Sequence, residues 1–149
     1  MPQKEKRPVG LTKDAGFQIG ARRTFPVSLT QAWELVTSDA GVRAWLGDTQ
    51  GVELAQGAEY RLADHSTGEV RVFKPLSHLR FTWQPGNWPK PSTIQVRVIP
   101  NKEKTVIKTV IAFHQENLPN AEARKARRTH FIKALDALQR LVPDFSLNP

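Results

Sequence analysis

The sequence of 149 residues contains no cysteine. That excludes a disulfide framework, a thiol nucleophile and any thiolate metal site, and it fits a reducing compartment. No run of about 18 apolar residues occurs, so no membrane span is expected. The opening Met-Pro-Gln-Lys-Glu-Lys-Arg-Pro is charged and lacks the apolar core of a secretory signal, which makes a cytoplasmic location the expectation. There is no G-x-S-x-G elbow, P-loop or dinucleotide fingerprint. The four histidines, His65, His78, His114 and His130, do not fall at metal-ligand spacing. His65 reads as a turn residue, His78 as the polar side of a strand, and His130 as the outer face of a helix. His114 closes an apolar strand and is read as a structural histidine, although it alone could see a pocket. No catalytic residue, metal site or cofactor is expected from these residues.

What is present suits one domain. A chain of this length buries roughly 68–70% of the surface it exposes when unfolded, enough for a core without staples. The formal net charge of +8 carries no fold information, and the placement of the charges matters more than their sum.

Residues 1–16 read as a basic tail with Lys4, Lys6, Arg7 and Pro8. From Phe17 an alternation of Phe17, Ile19, Ala21 and Phe25 marks a strand that stops at Pro26. Ser28-Leu29-Thr30-Gln31 is a capping box for a helix carrying Ala32, Trp33, Leu35 and Val36. A second short helix starts near Ser38 and Asp39, buries Val42, Trp45 and Leu46, and stops at Gly47. Strands are then expected over 58–63, 69–76, 78–84 and around Ile94, Val96 and Val98. The last runs from Thr105 to Phe113, apolar on both faces and so central. Turns such as Asp64-His65-Ser66-Thr67-Gly68 separate them without helices, which predicts an antiparallel meander.

After Pro119, Asn120 makes a good N-cap for a helix expected to run to Val142, where Pro143 ends it and residues 144–149 form a tail. At 1.5 Å per residue that helix is about 33 Å long, enough to cross a sheet. Advancing about 100° per residue from Leu135 puts Ala121, Arg124, Arg128, Phe131 and Val142 on its face centre, with Ile132 and Leu138 at the flanks. Arg124 and Arg128 thus stand where apolar residues would be expected. They either snorkel to solvent or meet an anionic group.

The segments Thr24 to Leu35 and Gly41 to Gly47 resemble the opening of the Hsp90-ATPase-activator-homologue branch of the START-like (SRPBCC) superfamily. So do the Gly68–Pro75 strand, Leu79-Arg80-Phe81-Thr82-Trp83, Pro91-Ser92-Thr93-Ile94 and the closing His130 to Leu138. The resemblance covers about residues 17–142 and implies an α+β helix-grip (START/Bet v 1-like) domain over 17–143. In that fold a curved antiparallel sheet wraps a long C-terminal helix, with two short helices after the first strand and a cavity between sheet and helix. Several relatives carry a second aromatic where this chain has Leu46, which alters the pocket mouth. Hsp90 activation in eukaryotic co-chaperones also depends on a separate N-terminal domain, for which this length leaves no room, so co-chaperone activity is not expected.

Large aromatics around a concave site with few polar groups suit a small-molecule pocket, and the same residues also serve as plain core. The resemblance places Trp45, Phe81, Trp83, Ile94, Val96, Ile111, Phe131 and Leu135 around the cavity. Trp88 is its flap, and Arg124 and Arg128 are its wet mouth. The expected function is binding of a hydrophobic or amphipathic small molecule, including one with an anionic group. An enzyme of cyclase, dehydratase or hydrolase type using the same pocket is the alternative, with Arg128 and His114 as its polar groups. A protein or nucleic-acid partner on the basic surface of Lys125, Arg127, Lys133 and Arg140 ranks last, because no strand interleaves basic and aromatic residues. Oligomeric state is left open.

Overall fold

The computed structural model describes residues 11–12, 16–49, 51–103 and 105–146. The basic stretch 1–10 lies outside the described residues. The elements are β1 (Leu11–Thr12), β2 (Gly16–Phe25), α1 (Leu29–Thr37), α2 (Asp39–Trp45), β3 (Glu59–Arg61), β4 (Thr67–Lys74), β5 (His78–Trp83), β6 (Ser92–Pro100), β7 (Thr109–Leu118) and α3 (Ala121–Ser146).

Local chemistry sets the helix starts. Ser28 Oγ accepts from the Gln31 amide at 3.1 Å while Gln31 Oε1 accepts from the Ser28 amide at 2.8 Å, the reciprocal cap that the sequence predicts. Ser38 serves two helices. Its hydroxyl donates to the Leu35 carbonyl at 2.8 Å and accepts from the Gly41 amide at 3.0 Å, ending α1 and opening α2. Gly47, at φ 142°, follows the α2 cap. Asn120 Oδ1 caps α3 by accepting from the Ala123 amide at 2.8 Å.

The strands form one antiparallel sheet in the order β1-β2-β7-β6-β5-β4-β3, in which the last strand returns beside the first long one. Register shifts between Phe17 and Ile19 and between Val70 and Val72 mark bulges, which bend a sheet. Cross-strand rows on the inner face are apolar: Ala21, Phe113, Val96, Leu79 and Phe73 face one another in sequence across β2, β7, β6, β5 and β4. α3 lies over that face and packs on β2, β7, α1 and α2. Arg23 Nη1 ties β2 to the helix through Asp136 at 2.8 Å and Gln139 at 2.9 Å.

Several boundaries differ from expectation, among them β4, which spans Thr67–Lys74 rather than 69–76 and takes Thr67 and Gly68 from the expected turn. Leu11 and Thr12, assigned to the tail, pair with β2 as an edge strand. β7 lies inside the sheet between β2 and β6 as predicted, but it starts at Thr109, whose hydroxyl donates to the Val27 carbonyl at 2.9 Å. Thr105 to Lys108 are exposed, with Ile107 at 68%, and the strand runs on past His114 to Leu118. Pro143 does not end α3. So near the helix end it forfeits one backbone bond, and Phe145 packs on the core and carries the last turn to Ser146.

Gly68 marks a close approach. A Cβ there would overlap the Thr82 carbonyl oxygen and the Tyr60 hydroxyl, the two atoms that form the hydrogen bond from Tyr60 Oη to Thr82. Gly68→Ala is expected to cost about 1–3 kcal/mol as overpacking, measured by urea unfolding. Truncating Tyr60 as well should not restore stability, because the Thr82 backbone remains in the way.

Candidate functional site

The pleat of β7 puts Thr109, Ile111, Phe113 and Gln115 on the inner face. Gln115 therefore stands in a row with Ile19, Ile94, Phe81 and Val70, all buried, and is its one polar member. It is fully buried and satisfied on both sides. Its Nε2 donates to Ser92 Oγ at 2.8 Å, and Ser92 Oγ donates to the Trp83 carbonyl at 2.8 Å. Its Oε1 accepts from Arg127 Nε at 2.7 Å.

Arg127 is the unusual member. Only 7% of it is exposed, and its guanidinium carbon lies 4.0 Å above the Trp83 ring and 5.0 Å from the Phe131 ring. Cation–π contact with Trp is the strongest of its kind, but it does not neutralise the charge. Ion pairs among the described residues are Arg23–Asp136 and Arg71–Glu69, and no carboxylate pairs with Arg127. Burial pulls its pKa down to about 10, with the Tyr60 phenol and Asp64 opposing. It remains a cation at neutral pH. Burial also pushes the Tyr60 phenol above its ordinary value, so Tyr60 stays neutral beside it. Two buried donors in this cluster, Arg127 Nη2 and Trp83 Nε1, have no hydrogen-bond partner among the described residues. Such orphans are costly and call for an explanation.

Aromatic rings surround the cluster. Phe113 and Phe131 stack at 5.0 Å and 16°. Trp45 packs on Phe81 at 5.2 Å and on Phe113 at 6.2 Å, with its Nε1 donating to the Val36 carbonyl at 2.8 Å. Trp88, half-buried, meets Trp83 edge-on at 5.1 Å, and Gln84 Nε2 holds the Trp88 carbonyl at 2.8 Å.

Of the residues expected around the cavity, Trp45, Phe81, Trp83, Ile94, Val96, Ile111, Phe131 and Leu135 are buried between sheet and helix. The arginines are placed differently. Arg128 is exposed, and Arg124 is half-buried with its Nε on the Gln18 carbonyl at 2.8 Å. Arg127, assigned to the outer surface, is the one that points inward. The buried set Arg127, Phe131, Ala134, Leu135, Leu138 and Val142 centres about 50° round from Leu135, so the expected phase is displaced by that amount. Counting four residues back from the Phe131, Ala134, Leu138 repeat would have reached Arg127. Extending the Ile111, Phe113 alternation by one more pair would have reached Gln115.

His130 is also corrected. It is half-buried rather than on the open surface, and its Nε2 donates to the Trp45 carbonyl at 2.7 Å. Burial, then the nearby Arg127 charge, lowers its pKa to about 4 against the pull of that hydrogen bond. Because the folded value lies below the unfolded one, the unfolded state binds the proton first, and stability falls as pH drops from 6.5 toward 4. The expected loss is about 2 kcal/mol by pH 5. His130→Gln, which keeps a donor, should flatten urea midpoints across that range. His114 points to the outer face, where its Nε2 meets Gln18 Oε1 at 2.9 Å.

A surface groove of about 600 Å³ lies beside Tyr60, Gly68, Thr82 and Gln84, and Arg127 and Phe131 do not line it. Among the described residues no three His, Cys, Asp or Glu side chains gather to hold a metal, and no helix is long and apolar enough to cross a membrane.

A curved antiparallel sheet around a long C-terminal helix, with two short helices after the first long strand, defines a helix-grip domain of the START-like kind. Residues 26–142 match the family described as Activator of Hsp90 ATPase homolog 1-like protein, and the chain belongs to that family. CalU16 from Micromonospora echinospora superposes with a TM-score of 0.70 at 17% identity, over 84% of this chain and 73% of that one. MLL2253 from Mesorhizobium loti gives 0.68 at 16%, over 85% and 97%. PFC0360w, an Hsp90 activator from Plasmodium falciparum, gives 0.67 at 17%, over 85% and 96%. At these identities the likeness is one of fold. No curated protein matches the sequence.

Proposed function

We propose that the protein binds a hydrophobic or amphipathic small molecule in the layer between the sheet and α3. The observation that supports this reading is the pair of orphaned donors on Trp83 and Arg127 within a ring of aromatic side chains. An apolar surround with a few convergent polar groups is the usual make-up of a small-molecule site. Trp88, the partly exposed ring of the cluster, covers its solvent side and is the flap whose displacement admits a ligand.

Binding suits the layer better than catalysis. No carboxylate is buried among the described residues, and the Tyr60 hydroxyl and His130 Nε2 are each committed to a backbone carbonyl. General acid–base work needs a group free to exchange its proton with the substrate. Titration of the purified chain with decanol and decanoate, followed by native mass spectrometry and tryptophan fluorescence, tests the reading. Saturable one-to-one binding of either probe is expected, and its absence with both would sink the proposal.

A further inference from the structure

We infer that the polar end of the ligand is a carboxylate, received inside the layer by Arg127 Nη2 and Trp83 Nε1. This rests on the small-molecule reading above and adds the chemical group that the site selects. Both orphaned atoms are donors, so they call for an acceptor. The two side chains touch, with the guanidinium centre 4.0 Å from the indole ring. The two orphaned atoms belong to these two stacked groups, which brings both donors to one place in the layer.

Charge narrows the choice further. Arg127 is a cation with no paired carboxylate among the described residues, and the Tyr60 proton is held on the Thr82 carbonyl. A neutral carbonyl would satisfy the donors but leave the buried charge uncompensated. A phosphate dianion would bring more charge than one guanidinium balances. A monoanion matches the site, and the planar oxygens of a carboxylate match guanidinium geometry. The surrounding rings of Phe131, Trp83 and Trp88 then take an apolar tail.

The test uses the full chain and three probes with the same tail: decanoate, methyl decanoate and decanol. Wild type should bind decanoate roughly 10- to 100-fold more tightly than decanol, the scale of a charge-assisted hydrogen bond. Trp83→Phe removes one donor and keeps a ring, so it should cut the ratio of decanoate to decanol affinity severalfold. Arg127→Met should abolish the preference. An Arg127→Met/Gln115→Met pair, which leaves no glutamine stranded, should do the same with the melting temperature at or above wild type. Equal affinity for decanoate and decanol in wild type would overturn the carboxylate assignment and leave small-molecule binding standing. Failure of all three probes to bind would overturn both. Preference retained in either methionine variant, or undiminished in Trp83→Phe, would also overturn the assignment. A double variant that unfolds would show Arg127 to be a structural residue and would overturn it too.

Discussion

Gln115→Leu is expected to destabilise the protein by about 1–3 kcal/mol, more than its size suggests, because it takes the hydrogen-bond acceptor away from a buried charge. Leucine fits the apolar row of Ile19, Ile94, Phe81 and Val70, so packing alone would predict a mild change. The cost comes from Arg127. Its Nε loses the 2.7 Å acceptor, and Nη2 already lacks a partner among the described residues, on a residue only 7% exposed. Ser92 keeps its bond to the Trp83 carbonyl but no longer receives the Gln115 amide. The Arg127→Met/Gln115→Met pair removes donor and acceptor together and should be nearly neutral or stabilising. Urea unfolding of the two singles and the double closes a cycle, and a coupling near zero would show that the pair is not one unit.

Phe131→Ala is the second large effect, at about 3–5 kcal/mol. The ring is fully buried, stacks on Phe113 at 5.0 Å and lies 5.0 Å from the Arg127 guanidinium carbon. His130 meets it edge-on at 5.2 Å. Truncation leaves a cavity under α3 whose walls include rigid strand residues, so little collapse can offset it. Leu138→Ala, equally buried on the same helix, is expected to cost about 2–5 kcal/mol without touching the polar cluster. The contrast shows up in decanoate binding: Phe131→Ala should weaken it, and Leu138→Ala should not. Unchanged m-values would confirm that both act on the native state.

The parts of the fold that follow from short-range chemistry could be read from residues in order. The Ser28–Gln31 box, the Asn120 cap and the alternation of Leu79, Phe81 and Trp83 each set an element with no knowledge of its partners. The site could not be read so directly, because it depends on phase. α3 carries alanines at 121, 123, 126, 134 and 137, and these small residues leave the edges of its apolar stripe ill-defined. A rotation of about 50° is then enough to exchange Arg128 for Arg127. β7 posed the matching problem. Val106 and Ile107 look like strand but sit in an exposed turn, while His114 and Gln115 look like its end but lie within it. Both misplacements hid the same contact, since Gln115 and Arg127 are visible as partners only when strand and helix are each extended correctly.

The stacking of Arg127 on Trp83 also makes the site report on itself by light. A unit charge 4.0 Å above one indole imposes a strong local electric field on that chromophore, whereas the ring contacts of Trp45 and Trp33 among the described residues are with Phe73, Phe81 and Phe113. Neutralising the charge, whether by a bound carboxylate or by Arg127→Met, changes that field and should shift the Trp83 absorption and emission bands in the same direction. Occupancy could thus be followed as a colour change of the protein's own tryptophan, with no label attached.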